Sequence, residues 1–124
     1  MIGIGIDVVE VQRFRGALER WPRLVERVFT LAEVESISDR SDPVPGLAAR
    51  FAAKEATMKA LGVGLFDIGF LEIEITRKGS GAPSLSVSGR ARRRADVLSV
   101  EELHLSMTHT QLIASAVVAV DGSR

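Results

Sequence analysis

Cysteine is absent from this chain of 124 residues, and with it any disulfide framework, thiol nucleophile or thiolate metal site. With only two histidines besides, a zinc centre is not expected. Tyrosine is absent too, and the rings are confined to one Trp and five Phe. A nucleic-acid module built on the two arginine clusters, one from Arg13 to Arg27 and one from Arg90 to Arg94, would want stacking aromatics, and no RNP-like string is present, so no nucleic-acid partner is expected. Excess charge of either sign is missing: 16 Lys and Arg balance 16 Asp and Glu, so no global attraction to a polyanion is implied. No apolar run reaches transmembrane length, and Met1 leads straight into a strand pattern without a basic n-region or cleavage site. The expectation is a cytoplasmic protein with no membrane association. No serine stands in a nucleophile elbow and no P-loop string occurs, which argues against triad acyl transfer and excludes the P-loop enzymes.

What remains is one domain spanning residues 1–124, long enough for a core and short enough to lean on partner subunits. Ile2, Ile4, Ile6 and Val8 alternate with Gly3, Gly5 and Asp7, a period-two strand with one bulky and one bare face. A polar helical stretch runs from Glu10 to Arg20, and Pro22 opens another turn. Thr30 with Glu33 reads as a capping box for a short helix near Leu31–Ser38. The stretch Ser38–Gly46 is a loop, and Pro45–Leu61, rich in Ala and Leu and stopped by Gly62, is the longest helix. Strands follow at Phe70–Arg77 and Pro83–Val87 around a Gly79–Ser80–Gly81 turn, then a short helix at Arg90–Leu98. Leu103–His109 and Leu112–Val120 form a terminal hairpin. Strands and helices without strict alternation imply α+β, with a mostly antiparallel sheet packed on one long helix and several short ones.

The candidate chemistry starts on the long helix. Leu47, Phe51, Met58 and Leu61 fall on one stripe, and Glu55 projects from inside that arc. An unpaired carboxylate in an apolar setting costs several kcal/mol, so Glu55 calls for a cation, a hydrogen-bond set or a raised pKa. Lys59, one turn on, can form an ordinary i,i+4 pair with it. Asp7 shares its strand face with Gly3 and Gly5, where a ligand could approach, but Asp7 with Glu10 also fits a capping box. If Asp7 and Glu55 converge, they offer two hard oxygen ligands suited to Mg²⁺ completed by water and phosphate oxygens, with Lys59 free to neutralise the same phosphates. Gly62 and Gly64 would let backbone N–H groups approach an anion, although a C-cap explains Gly62 equally. His109, between Thr108 and Thr110, is a turn residue or part of an anion-facing cluster, while His104 reads as surface.

Three stretches in series carry a resemblance: GIGIDVVEVQRF, ARFAAKEATMKALGVG and HLSMTHTQLIASAVV. Together they resemble the holo-[acyl-carrier-protein] synthase family of small phosphopantetheinyl transferases over almost the whole chain. The resemblance implies the phosphopantetheinyl transferase fold, and transfer of 4′-phosphopantetheine from coenzyme A to a serine of apo-acyl carrier protein, releasing adenosine 3′,5′-bisphosphate. It implies Asp7 and Glu55 as Mg²⁺ ligands, Lys59 beside the pyrophosphate, and Arg50, Gly62, His109 and Thr110 around the nucleotide. It further implies a homotrimer with active sites between neighbouring subunits, and an acidic carrier docking on the first helix at Arg13 and Arg20. Many members have Asp after the hairpin histidine, where this chain has Thr110. The base for the attacking serine is Glu55 or a metal-bound water beside Asp7, the latter preferred because a carboxylate on Mg²⁺ is a poorer base. The alternative function is another Mg²⁺-dependent phosphotransferase or nucleotide hydrolase using the same acidic pair.

Overall fold

A backbone stripped of side chains on one face can lie directly against a helix, and this chain is built around such a contact. The computed structural model describes residues 2–64, 66–77 and 81–123. Strand β1 (Gly3–Glu10) leads into α1 (Val11–Arg20), then the short helices α2 (Leu24–Val28) and α3 (Leu31–Glu35), and the long α4 (Val44–Leu61). A 3-10 turn at Phe70–Glu72, strands β2 (Ile73–Thr76) and β3 (Ser84–Val87), helix α5 (Gly89–Val97) and the hairpin β4 (Val100–His109) and β5 (Ile113–Gly122) complete the order. The larger sheet is antiparallel throughout, in the order β1-β5-β4, and β2 and β3 form a separate antiparallel pair. The α+β expectation therefore holds, with two sheets in place of one. The Gly79–Ser80–Gly81 turn falls largely outside the described residues.

Helix α4 lies on the sheet and supplies both apolar clusters. Ala52, Ala53, Ala56, Met58 and Leu61 join Ile73, Ile75, Val118 and Val120, while Leu47, Ala48 and Ala49 join Val11, Phe14, Val28 and Ile37. Alanines keep the helix slim, and Gly3 and Gly5 let β1 touch it: a Cβ on either would overlap the carbonyl oxygen of Ala60 or Ala56. This corrects the expectation that the bare face of β1 receives a ligand; α4 occupies it. The bulky face of β1 points outward, with Ile4, Ile6 and Val8 each about 60% exposed (60%, 61% and 59%).

The single greasy stripe expected on α4 is also corrected. Residues all around the helix are buried, including Arg50, Lys54 and Thr57, because the sheet, α1 and β2 enclose it. Glu55 sits on its half-open edge with Phe51, and exposed Lys59 follows one turn on. Gly62 ends α4 in the left-handed region (φ 70), with the Schellman pair Gly62 N–H to Lys59 O and Val63 N–H to Met58 O. At α3 the capping box is present in both directions between Thr30 and Glu33.

Candidate active site

Asp7 does not cap α1. It stays within β1, opposite Ala116 of β5, and Glu10 is the cap residue, without a side-chain hydrogen bond. Alternation puts Asp7 on the same face as Gly3 and Gly5, toward α4. There Lys59 Nζ lies 3.2 Å from Asp7 Oδ1 and donates to Ile6 O at 2.9 Å. Lys59 thus bonds across to the strand rather than closing the i,i+4 pair with Glu55. Glu55 adjoins both: burial raises its pKa most, then the charge of Asp7 and a hydrogen bond with it, while the Lys59 ammonium opposes the shift. Two carboxyls remote in sequence share one site with one ammonium, as the sequence suggested.

Beside this trio runs a groove of about 600 Å³ between β1, α1, α2 and α4, with Asp7 and Glu55 at one end. Its wall is a row of rings: Phe51 lies 5.2 Å from Phe14 and 5.4 Å from Phe70 between centroids. Arg13 borders it, with Glu10 at 3.8 Å. A second groove of about 700 Å³ lies next to it, lined by Arg20, Trp21, Pro22, Arg23, Leu24 and Arg27. The Arg20 guanidinium rests 4.9 Å over the exposed Trp21 ring.

Arg50 and His109 meet elsewhere. With Arg40, Arg77, Met107 and Thr108 they line a pocket of about 260 Å³. Arg50 is 3% exposed; it donates to Gly46 O and Ser36 Oγ, and its Nε has no partner among the described residues. Burial depresses the Arg50 pKa first, then the Arg40 charge. Burial likewise lowers His109, followed by Arg40, Arg50 and Arg77, so its imidazole is neutral at pH 7. A buried guanidinium with a spare donor, beside the two further cations Arg40 and Arg77, is chemistry that would suit an anion. Five positions separate Arg50 from Glu55 on α4, about 140° around the axis, so the two clusters face different ways within one chain. Arg40 and Arg77 belong to no motif in the sequence, and only the fold gathers them.

Three remaining candidates have local duties. The Gly62 N–H is used in the α4 cap, and Gly64 N–H donates to Asp67 Oδ2 at 2.9 Å. Thr110 Oγ1 accepts from the N–H groups of Leu112 and Ile113 and so closes the hairpin turn. His104 is on the surface, 2.9 Å from Asp121. Of the second arginine cluster, Arg90 binds Glu72, Arg92 binds Asp96, and Arg94 donates to Leu61 O.

The sequence pattern of the 4′-phosphopantetheinyl transferase superfamily matches residues 3–119. Holo-[acyl-carrier-protein] synthase of Moorella thermoacetica is 46% identical, over 99% of this chain and 96% of its own. That of Maridesulfovibrio salexigens is also 46% identical, over 98% of each chain. Among solved structures, the Helicobacter pylori holo-[acyl-carrier-protein] synthase in complex with coenzyme A superposes with a TM-score of 0.83 at 32% identity, over 95% of this chain and 99% of that one. The chain belongs to the 4′-phosphopantetheinyl transferase superfamily and is an enzyme of the holo-[acyl-carrier-protein] synthase type.

Proposed function

We propose that this single domain transfers the 4′-phosphopantetheine group of coenzyme A to a serine hydroxyl of apo-acyl carrier protein, releasing adenosine 3′,5′-bisphosphate, with Mg²⁺ as cofactor. The observation that carries the reading is the convergence of Asp7 and Glu55 beside Lys59. Among the described residues no cluster of three or more His, Cys, Asp or Glu could hold a metal by itself. A pair of mutually repelling carboxyls fits a hard divalent ion that takes its other ligands from water and phosphate oxygens. Asp7 and Glu55 would hold Mg²⁺, whose chemistry is to offset the charge that builds on a diphosphate as it is attacked.

The chain's own side chains account for the rest. Lys59 supplies a fixed cation at the same diphosphate. Arg40, Arg50, Arg77 and His109 suit the separate 3′-phosphate of coenzyme A, and the idle Arg50 Nε is a donor awaiting an acceptor. The apolar groove ending on Asp7 and Glu55 suits entry of the carrier's serine, and Arg13 and Arg20 flank the approach for an acidic partner.

The outward Ile4, Ile6 and Val8 support a homotrimer, because a contiguous apolar sheet face is a surface that association covers. Two clusters that face apart in one protomer can meet across a subunit boundary, which supports active sites between neighbours.

Incubation with coenzyme A and apo-carrier, followed by intact mass of the carrier, tests the reading. The expected result is a phosphopantetheinyl mass gain that requires Mg²⁺. Coenzyme A cleavage with no gain on any carrier would move the assignment to the rival phosphotransferase or hydrolase.

A further inference from the structure

One fully enclosed ion pair takes no part in the chemistry above. Lys54 and Glu33 are both 0% exposed, as is Thr57 among the described polar residues, with Lys54 Nζ 2.8 Å from Glu33 Oε1. Lys54 also donates to Phe70 O at 2.9 Å and Ile73 O at 2.7 Å, which uses all three of its protons. Glu33 in turn accepts from Thr30 N–H at 2.8 Å and Ile75 N–H at 2.8 Å. One ion pair therefore joins three separate pieces of chain: α4, the 3-10 turn at Phe70, and the corner between α2 and α3.

Those same three pieces form walls of the apolar groove. Phe51 and Glu55 come from α4, Phe70 from the 3-10 turn, and Val28 from the end of α2 two residues before Thr30. Phe51 and Glu55 flank Lys54 on its own helix. As a source of stability alone such a pair is a poor choice, since apolar residues of equal volume commonly do as well. What apolar residues cannot do is hold the Phe70 carbonyl of the 3-10 turn and the Ile73 carbonyl at the start of β2 at a set distance from a helix.

We propose that Lys54 is a positioning residue: clamped by Glu33, it sets the distance from the Phe70 turn to α4, and so the width of the groove that presents the carrier's serine to Glu55. The inference rests on the transferase reading. It commits the pair chiefly to the carrier side of the reaction; the phosphate pocket of Arg50 and His109 is touched less directly, through Ser36 and the Glu33 charge.

The test is steady-state kinetics with coenzyme A and apo-carrier on the full-length enzyme. Lys54→Met alone strands the Glu33 charge, so the variant used is Lys54→Met with Glu33→Gln, which removes both charges at nearly constant volume. The expected result is a KM for carrier raised about tenfold or more, because small misplacements of a reacting group are costly. The KM for coenzyme A stays within about twofold, the split that marks a defect confined to one substrate. Lys54→Gln with Glu33→Gln, which strands no charge and returns neutral donors toward the Phe70 and Ile73 carbonyls, should raise the carrier KM by a smaller factor, about threefold. An unchanged carrier KM in either folded variant, or an equal rise for both substrates, overturns the inference while the transferase reading stands. A wild type that makes no holo-carrier overturns both.

Discussion

Gly5 of β1 and Ala56 of α4 meet backbone to backbone, with no room for a Cβ between them. Gly3 makes the same contact with Ala60 one turn along, so strand and helix are locked at the shortest separation a polypeptide permits. Asp7 is the next residue on that face after Gly5. Its side chain is carried to the edge of the contact, over Glu55 and Lys59.

Replacing Gly5 with Ala therefore strikes fold and site together. The new methyl must push β1 off α4, and overpacking against a rigid backbone costs about 3 kcal/mol or more. Thermal denaturation of Gly5→Ala should show a fall in Tm of ten degrees or so, or no folded protein at all. Gly16, on half-buried α1 with only the end of Arg20 nearby, serves as the control, and Gly16→Ala should leave Tm unchanged or raise it.

Periodicity and punctuation made most of the fold legible. The Gly-Ile alternation located β1, Thr30 and Glu33 located α3, and Gly62 marked the end of α4 to the residue. Where the reading failed, tertiary packing had overridden a local rule. A helix enclosed on nearly every side has no apolar stripe to find, so the pattern that singles out Glu55 is one that the structure does not keep. The glycines of β1 were read as space for a ligand because a one-dimensional pattern cannot say which neighbour fills a bare face. Arg40 and Arg77 carry no signal, since their meeting with Arg50 and His109 depends on loop paths. Lys54 gave no sign of burial, because lysine defaults to the surface unless a partner is known.

Asp7→Asn and Glu55→Gln should each lower Mg²⁺-dependent turnover by about a hundredfold or more, the order seen when a charge clamp on a transferring phosphoryl group is lost. The stability effect runs the other way. The Glu55 pKa is raised in the fold, so its contribution is full below the unfolded value and is lost as pH rises through the folded one. At pH 8 without metal, Glu55→Gln should be at least as stable as wild type. Added Mg²⁺ should raise the Tm of wild type and leave that of both variants unmoved, as read by differential scanning fluorimetry.

Glu72 holds the 3-10 turn to the start of α5. Burial works to raise its pKa, but bonds from Gly69 N–H, Arg90 and Ala91 N–H outweigh it and hold the carboxyl at about 2, against an ordinary value of 4.5. Because the folded value is depressed, the stabilisation is full above pH 4.5 and drains away as pH falls toward 2. Glu72→Gln should cost about 1–3 kcal/mol at pH 7 and flatten the acid limb of a urea-denaturation series, so that wild type and variant converge only as pH approaches 2.

His109 should report phosphate binding through its proton. Burial and then Arg40, Arg50 and Arg77 lower its pKa in the free enzyme, and a bound phosphate would raise it. Between the two values binding takes up a proton, so affinity for coenzyme A should strengthen as pH falls through that window. Calorimetric titrations in two buffers of different ionisation enthalpy, near pH 6.5, should show a fraction of a proton taken up per site by wild type and none by His109→Ala. No uptake by wild type would remove His109 from the phosphate pocket.

The outer sheet face supplies the last expectation. Ile4, Ile6 and Val8 stand opposite Ala119, Val117 and Ser115, with His104, Ser106 and Thr108 continuing the face on β4. Ile6→Glu sets a charge at its centre while touching no core residue. Light scattering should give about three times the 13.4 kDa chain mass for wild type and a single chain mass for the variant. If the Asp7 and His109 half-sites complete each other only between neighbours, the monomer loses turnover although each half-site survives. The same geometry predicts complementation. Asp7→Asn and His109→Ala proteins are each inactive alone, but after mixing and reassembly each can lend the other its intact half. Random exchange restores about a quarter of the boundaries, and a corresponding share of wild-type activity should return. Should the mixture stay inactive after exchange has been verified by mass, the two half-sites would have to close within one chain by a movement of α4.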